Sequence, residues 1–505
     1  MPSRIEALWL GLAPERLHAV ARNYAEELFR DGLTVFKPGS PGPDGAATPD
    51  EWLAIPPLLT PKVLVRERLD DMCASARALT SALVRLTRYL CGSTATPAER
   101  ALTERMLATL APLERAFDLE ALGRIATARV DHFVDAGGPR ALELNATIPA
   151  MQGYSDLIAR RFISTVARER DPDPVRAAER EGRALALNGS NTADLLASLE
   201  WHAHALGAPT DRPLAIAIVC RRGDAQLGEL AHYARAFSAA GHAAEQLFVD
   251  ELELDATGAA SARGHAVDLI YRHIFARRVD PASAFAAILR DPTRHRVLNP
   301  IASPLEIKAM LGLLSEIADD DARAAAVGLA DDERSATRAR VPWTRVLVDG
   351  PSSGPDGEPI VDLRAWVRAH ASELVLKKSW DYGGKRVVLG PDVIAGVGLA
   401  RLAELTAPQP PTWDSLIEAI MRGGPDLWVV QRLVVTQPER HLVADREQPP
   451  TWRDLHVDVS AYASLGGPAP RGGVCRASAS RIVNILGGGG LAPTLTGDAL
   501  AALLD

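Results

Sequence analysis

Cysteine is scarce: Cys73, Cys91, Cys220 and Cys475 are the only four among 505 residues, and none stands in a C-x-x-C spacing. That argues against a disulfide framework or a structural zinc site and fits a reducing compartment. Basic charge is not in excess either. With 56 Lys and Arg against 64 Asp and Glu, the net charge is −8 and the isoelectric point near 5.9, which argues against a nonspecific hold on nucleic-acid phosphates. No uncharged apolar run reaches the ~20 residues that a bilayer crossing needs. Pro14, Glu15 and Arg16 break the brief apolar start before a secretion signal forms. The expectation is a cytoplasmic protein without nucleic-acid or membrane partners. What is present is 47% apolar and 24% charged residues, enough for a large core in a chain too long for one compact unit.

Four regions are expected. Residues 1–122 read as mostly helical, with long runs of helix formers at 63–90 and 97–110. Residues 123–205 open with two short alternating runs, 125–133 and 141–148, joined by Asp135, Ala136, Gly137, Gly138 and Pro139, which read as a β-hairpin. Residues 206–300 alternate strand, helix and strand, the pattern of a parallel α/β unit. Residues 301–505 begin with a helix and become strand-rich from Leu374, as if an antiparallel module closed the chain.

Five segments contain chemistry-bearing side chains. In 373–390, ELVLKKSWDYGGKRVVLG, a strand ends at Lys377, a loop holds Asp381, Gly383 and Gly384, and a second strand follows. Glycines there let backbone amides face phosphate oxygens. A strand rather than a helix follows and no G-x-x-x-x-G-K-[ST] is present, so neither a P-loop nor a dinucleotide fingerprint applies. In 129–149, RVDHFVDAGGPRALELNATIP, Glu143 and Asn145 share one strand face and Arg129 and Asp131 another. A carboxylate beside an amide oxygen suits Mg2+. Lys308 sits early in an amphipathic helix after Asn299 and Pro300. Strand 426–434 could hold a flat base against its backbone. Arg476 and Arg481 precede Asn484 and the glycines 487–490. Each segment alone also fits a plainer structure: a hairpin turn, a solvated strand face, a surface lysine, a core strand, a linker.

In chain order these segments resemble the circularly permuted ATP-grasp ligases of the eukaryotic glutathione synthetase and glutathionylspermidine synthase kind, over roughly residues 120–498. The order carries the likeness, because ordinary ATP-grasp enzymes place Glu-x-Asn after the glycine-rich lid and here it comes far before. The resemblance implies a mixed α/β, permuted ATP-grasp fold with an inserted parallel α/β substrate-binding unit and an N-terminal helical region. It implies that Lys308 and Lys377 contact nucleotide phosphates, that Glu143, Asn145 and Asp381 hold Mg2+, and that Gly383 and Gly384 cover the γ-phosphate. The backbone around Val430, Gln431, Arg432 and Leu433 would meet adenine. Arg129 and Arg476 would bind the substrate carboxylate and its phosphorylated form, with Asp131 and Arg272 also on the substrate side.

The implied activity is ATP- and Mg2+-dependent joining of a carboxylate and an amine through an acyl phosphate. Small-molecule acid and amine are the implied partners, and a homodimer is implied by dimeric relatives. A non-catalytic nucleotide-binding scaffold and a phosphoryl-transfer enzyme stay open as alternatives. Several positions depart from glutathione synthetase: Lys378 replaces a proline, the lid has two glycines rather than three, Pro149 and Ala150 replace serines, and Ser478 replaces a terminal lysine. They leave ATP binding in place and put glutathione itself in question.

Overall fold

A computed structural model describes residues 4–39, 48–381, 386–423, 426–485 and 488–505. The hairpin is formed by Ala128–Asp135 and Gly138–Asn145. Its two-residue connection works because Gly138 takes a φ of 109°, closed to most side chains, and because the Asp135 carboxylate accepts from the Gly137 amide at 2.8 Å. The hairpin does not stand alone. The strand Thr451–Ala463 pairs antiparallel with its first arm, followed by Gly473–Ser478 and Gly490–Ala492. Early and late chain therefore share one six-stranded sheet.

Strand alternation gives this sheet two different faces. Val130, Leu144, Val457, Val459, Ala461 and Ala477 face a core that also takes Met72, Leu79, Leu83 and Leu86. Those four come from the 26-residue helix Arg66–Cys91, whose apolar residues recur every three or four positions. Burying each such leucine stabilises by roughly 1.5–3 kcal/mol. The opposite face carries charge: Asp131 lies across from Glu143, Arg129 from Asn145, and Asp458 from Arg476.

A second, four-stranded sheet runs Thr344–Val346, Trp428–Arg432, Leu374–Lys378, Val387–Leu389, all antiparallel. Leu374, Leu376, Val388, Trp428 and Val430 enter a core with Trp413, Leu416 and Ile417, so Val375, Lys377 and Gln431 point the other way. The strand-rich end of the chain is thus divided among three sheets, the third pairing Thr494–Thr496 with Lys62–Leu64, rather than forming one closing module. A third sheet is wholly parallel, in the order Val297–Leu298, Leu269–Arg272, Ala215–Cys220, Ala243–Phe248.

The N-terminal region is less purely helical than its composition suggests. Thr34–Lys37 pairs with Glu51–Ala54, and Lys62–Leu64 pairs with Thr494–Thr496 near the C-terminus. Such short strands lie below what periodicity resolves, and their partners are supplied by distant chain. Among the described residues no helix is long and apolar enough to cross a membrane.

Candidate functional site

Between the charged face of the six-stranded sheet and the four-stranded sheet lies a cleft of about 290 Å³. Lys377 lines this cleft, and Lys308, from a separate element, meets its wall at Glu143. Lys377, next to last in Leu374–Lys378, is 8% exposed. Its Nζ donates to Gln431 Oε1 at 2.7 Å and to the Leu142 carbonyl at 3.2 Å. Burial lowers its pKa to about 8, against the opposing pull of Glu143. Lys308 opens the helix Lys308–Ala318, whose first amides are tied to Ser379. Its Nζ donates to the Asp381 carbonyl at 2.7 Å and lies 3.3 Å from Glu143 Oε2. Lys308 is buried rather than a surface lysine.

These contacts bring three distant stretches together: the hairpin through Leu142 and Glu143, the helix start at Lys308, and the strand and loop from Lys377 to Asp381. Gly383 and Gly384, expected to complete that loop, lie outside the described residues, as does Gly487.

The hairpin end of the cleft is a row of alternating charges. Asp131 accepts from Arg129 Nε at 2.6 Å, Arg129 Nη2 at 3.1 Å, Arg476 Nη2 at 2.9 Å and Asn145 Nδ2 at 3.3 Å. Arg476 also donates through Nε to Asp458 Oδ2 at 2.9 Å, and its own amide donates to Asp458 Oδ1 at 3.0 Å. Burial would raise the Asp131 pKa, but the two guanidinium groups outweigh it and hold the carboxyl far below the usual range. Arg129 spends a further donor on the Ala150 carbonyl at 2.9 Å. Both arginines expected to bind substrate are thus already neutralised by carboxylates.

Asp458 was not among the expected residues. It alternates with Ser460 in LHVDVSAYA, a pattern that reads as any half-buried strand, and only cross-strand register reveals its partner.

Apolar side chains also line the cleft, Phe133, Val375, Leu389, Leu433, Ile482 and Val483, beside the polar Arg432, Gln437 and Arg481. Of the expected base-binding stretch, Gln431, Arg432 and Leu433 line the cleft and Val430 does not. Val430 sits in the middle of its sheet, paired on one side with Arg345 and on the other with Leu376, and its side chain is core. Gln431 is held between Lys377 and Thr344 Oγ1, the latter at 2.9 Å. The chain leaves the ladder after Arg432, and 433–438 is the stretch that lines the cleft outside regular strand. Thr436 Oγ1 there lies 3.0 Å from His456 Nδ1.

Arg272 is not on the cleft wall. It is 1% exposed and donates to three backbone carbonyls: Asn299 at 2.9 Å, Ile274 at 2.6 Å and Pro300 at 2.7 Å. Burial lowers its pKa to about 10. Asn299, held in that loop, staples the hairpin ends through the Ala126 and Thr127 amides and the Thr127 and Ala146 carbonyls. Arg272→Met is therefore expected to lower the unfolding midpoint, each orphaned carbonyl costing ~1–3 kcal/mol. A denaturant curve checks this, and an unchanged midpoint would show that those carbonyls do not depend on the guanidinium.

For a hard cation, Glu143 and Asn145 supply oxygen donors on one strand face, with Asp381 brought near through Lys308. Asp131 is fully engaged elsewhere. Among the described residues no group of three His, Cys, Asp or Glu side chains is arranged to hold a metal ion. This sparse set fits Mg2+, which takes one or two carboxylates and draws its other oxygens from phosphates and water.

No protein-family model matches the chain, and no curated protein does. Among solved structures it is similar to the apo form of a glutathione synthetase-like effector from Globodera pallida, at 12% identity and a TM-score of 0.56. That match covers 96% of this chain and 98% of the other. A proposed gamma-glutamylcysteine synthetase from Methylobacillus flagellatus matches at 10% identity and a TM-score of 0.35, over 77% and 84% of the two chains. The first likeness, spanning nearly both whole chains, shows that this protein has a mixed α/β fold of the glutathione synthetase-like kind.

Proposed function

We propose that the protein is an ATP- and Mg2+-dependent carboxylate–amine ligase of permuted ATP-grasp type. One observation carries this reading: Lys377 on the cleft wall and Lys308 behind it, far apart in sequence, both reach the Glu143 hairpin, and apolar side chains line the same cleft. Two buried ammonium groups beside a carboxylate–amide pair suit a polyphosphate with its cation, and the apolar lining suits a flat base.

In the proposed reaction a substrate carboxylate oxygen attacks the γ-phosphorus, the bond to the β-bridging oxygen breaks, and ADP leaves. An amine then attacks the acyl carbon, loses a proton, and expels phosphate to leave an amide. Such transfer depends on positioning and charge neutralisation, with no protein nucleophile. Lys377 would hold phosphate oxygens from the sheet side and Lys308 from the helix side. Glu143 and Asn145, with Asp381, would hold Mg2+, which when bound neutralises phosphate charge. Arg476 and Arg129, kept in place by Asp131 and Asp458, would orient the acid.

The test is ADP and phosphate release across a matrix of small acids and amines, with products identified by mass. Release that requires one acid and one amine together supports the ligase; a phosphorylated product formed without amine would replace it with phosphoryl transfer. A second reading, nucleotide binding without catalysis, is favoured by the carboxylate pairing of both Arg129 and Arg476. Tight ATP binding with no turnover across the matrix would select it.

A further inference from the structure

We infer that Lys308 is a built-in counter-cation that closes the Glu143 carboxylate to a free divalent ion, so that metal is accepted there only once the ammonium has been drawn away. The exclusion rests on contacts within the protein; only the identity of what draws Lys308 off rests on the ligase reading above.

Lys308 is 8% exposed, and its Nζ sits between Glu143 Oε2 at 3.3 Å and the Asp381 carbonyl at 2.7 Å. Those are two of the three residues assigned to the cation. A divalent ion bound by them would lie within a few ångströms of the ammonium, and like charges repel more strongly in a half-dehydrated cleft than in water. Lys377, on the facing strand, adds a second cation whose field Lys308 shares. Asp131, across the strand pair from Glu143, is already held by Arg129 and Arg476.

Rearrangement is open to the lysine. Its four-carbon stem can carry the ammonium from a carboxylate to a nearby anion. A polyphosphate would supply both an acceptor for Lys308 and the oxygens that complete the cation's shell. Lys308 thereby sets the order of loading, making an isolated cation a poor ligand and a cation–polyphosphate pair a good one.

The experiment is a titration of the full chain with Mn2+ in the absence of nucleotide, followed by electron paramagnetic resonance, with circular dichroism confirming the fold. Lys308→Met and Lys308→Gln should each gain a site at least tenfold tighter than any in the wild type, and Lys308→Arg should not. Adding Glu143→Gln to Lys308→Met should remove the gain. Equal Mn2+ affinity in wild type and both neutral variants overturns the inference, as does a gain that survives Glu143→Gln. A parallel titration with a non-hydrolysable ATP analogue separates the two ideas: no analogue binding, alongside the Mn2+ gain, counts against the ligase and leaves the exclusion standing.

Discussion

In the proposed ligase, Lys377→Met is expected to lower ATP turnover by about 10²–10³-fold, the usual loss when one preorganised donor to a charged transition state is removed. The side chains are similar in volume, so the strand Leu374–Lys378 keeps its packing. Gln431 Oε1 and the Leu142 carbonyl each lose a donor, a cost of ~1–3 kcal/mol per orphaned acceptor. A steady-state assay beside a melting curve separates these effects, and a variant that keeps full turnover removes Lys377 from the site. The titration of Lys377 gives a second handle. With burial lowering its pKa to about 8, the free protein loses this charge as pH rises through 8, so nucleotide affinity should fall between pH 7 and 9. Binding above pH 8 should draw in a proton, measurable by calorimetry in buffers of different ionisation enthalpy. For stability the sign is opposite. The unfolded lysine keeps its proton up to its ordinary 10.5, so between pH 8 and 10.5 the unfolded state binds more protons and this group's contribution to stability rises with pH. Lys377→Met should flatten both dependences.

The second large effect concerns stability. Arg476→Met leaves Asp131 and Asp458 in the interior with only Arg129 to answer them, and breaking a buried pair by removing one partner typically costs ~3–5 kcal/mol. The variant should unfold at a clearly lower denaturant concentration. Asp458→Asn together with Arg476→Met should recover part of the loss, because the unpaired carboxylate is then gone. No recovery would show that Arg476 is held by packing rather than by its charge partners.

Much of the framework was legible because it follows from local pattern. The apolar run that opens Leu374–Lys378 gives a strand ending one residue beyond the expected Lys377, and the helix formers of 63–90 match Arg66–Cys91 closely. The glycine at the hairpin turn is a backbone requirement visible in any sequence. Features decided by distant partners were not legible. Lys308 looks like an exposed lysine until the Ser379 loop covers it, and Asp458 is an unremarked acid until Arg476 pairs across the sheet. Arg272 is placed on the substrate side by the family resemblance alone; its acceptors are main-chain carbonyls, which leave no mark in sequence. Val430 shows the same limit, since only sheet order tells whether a strand's backbone groups are free or spent on neighbours.

The account turns on Lys308, Lys377 and Glu143 surrounding one polyphosphate. Crystallography of the protein with Mg2+ and a non-hydrolysable ATP analogue tests that directly. The account predicts triphosphate density between the two lysines, a cation against Glu143, and the base beside 433–436. An ordered analogue bound elsewhere, with the space between Lys308 and Lys377 still closed by their present contacts, would contradict it.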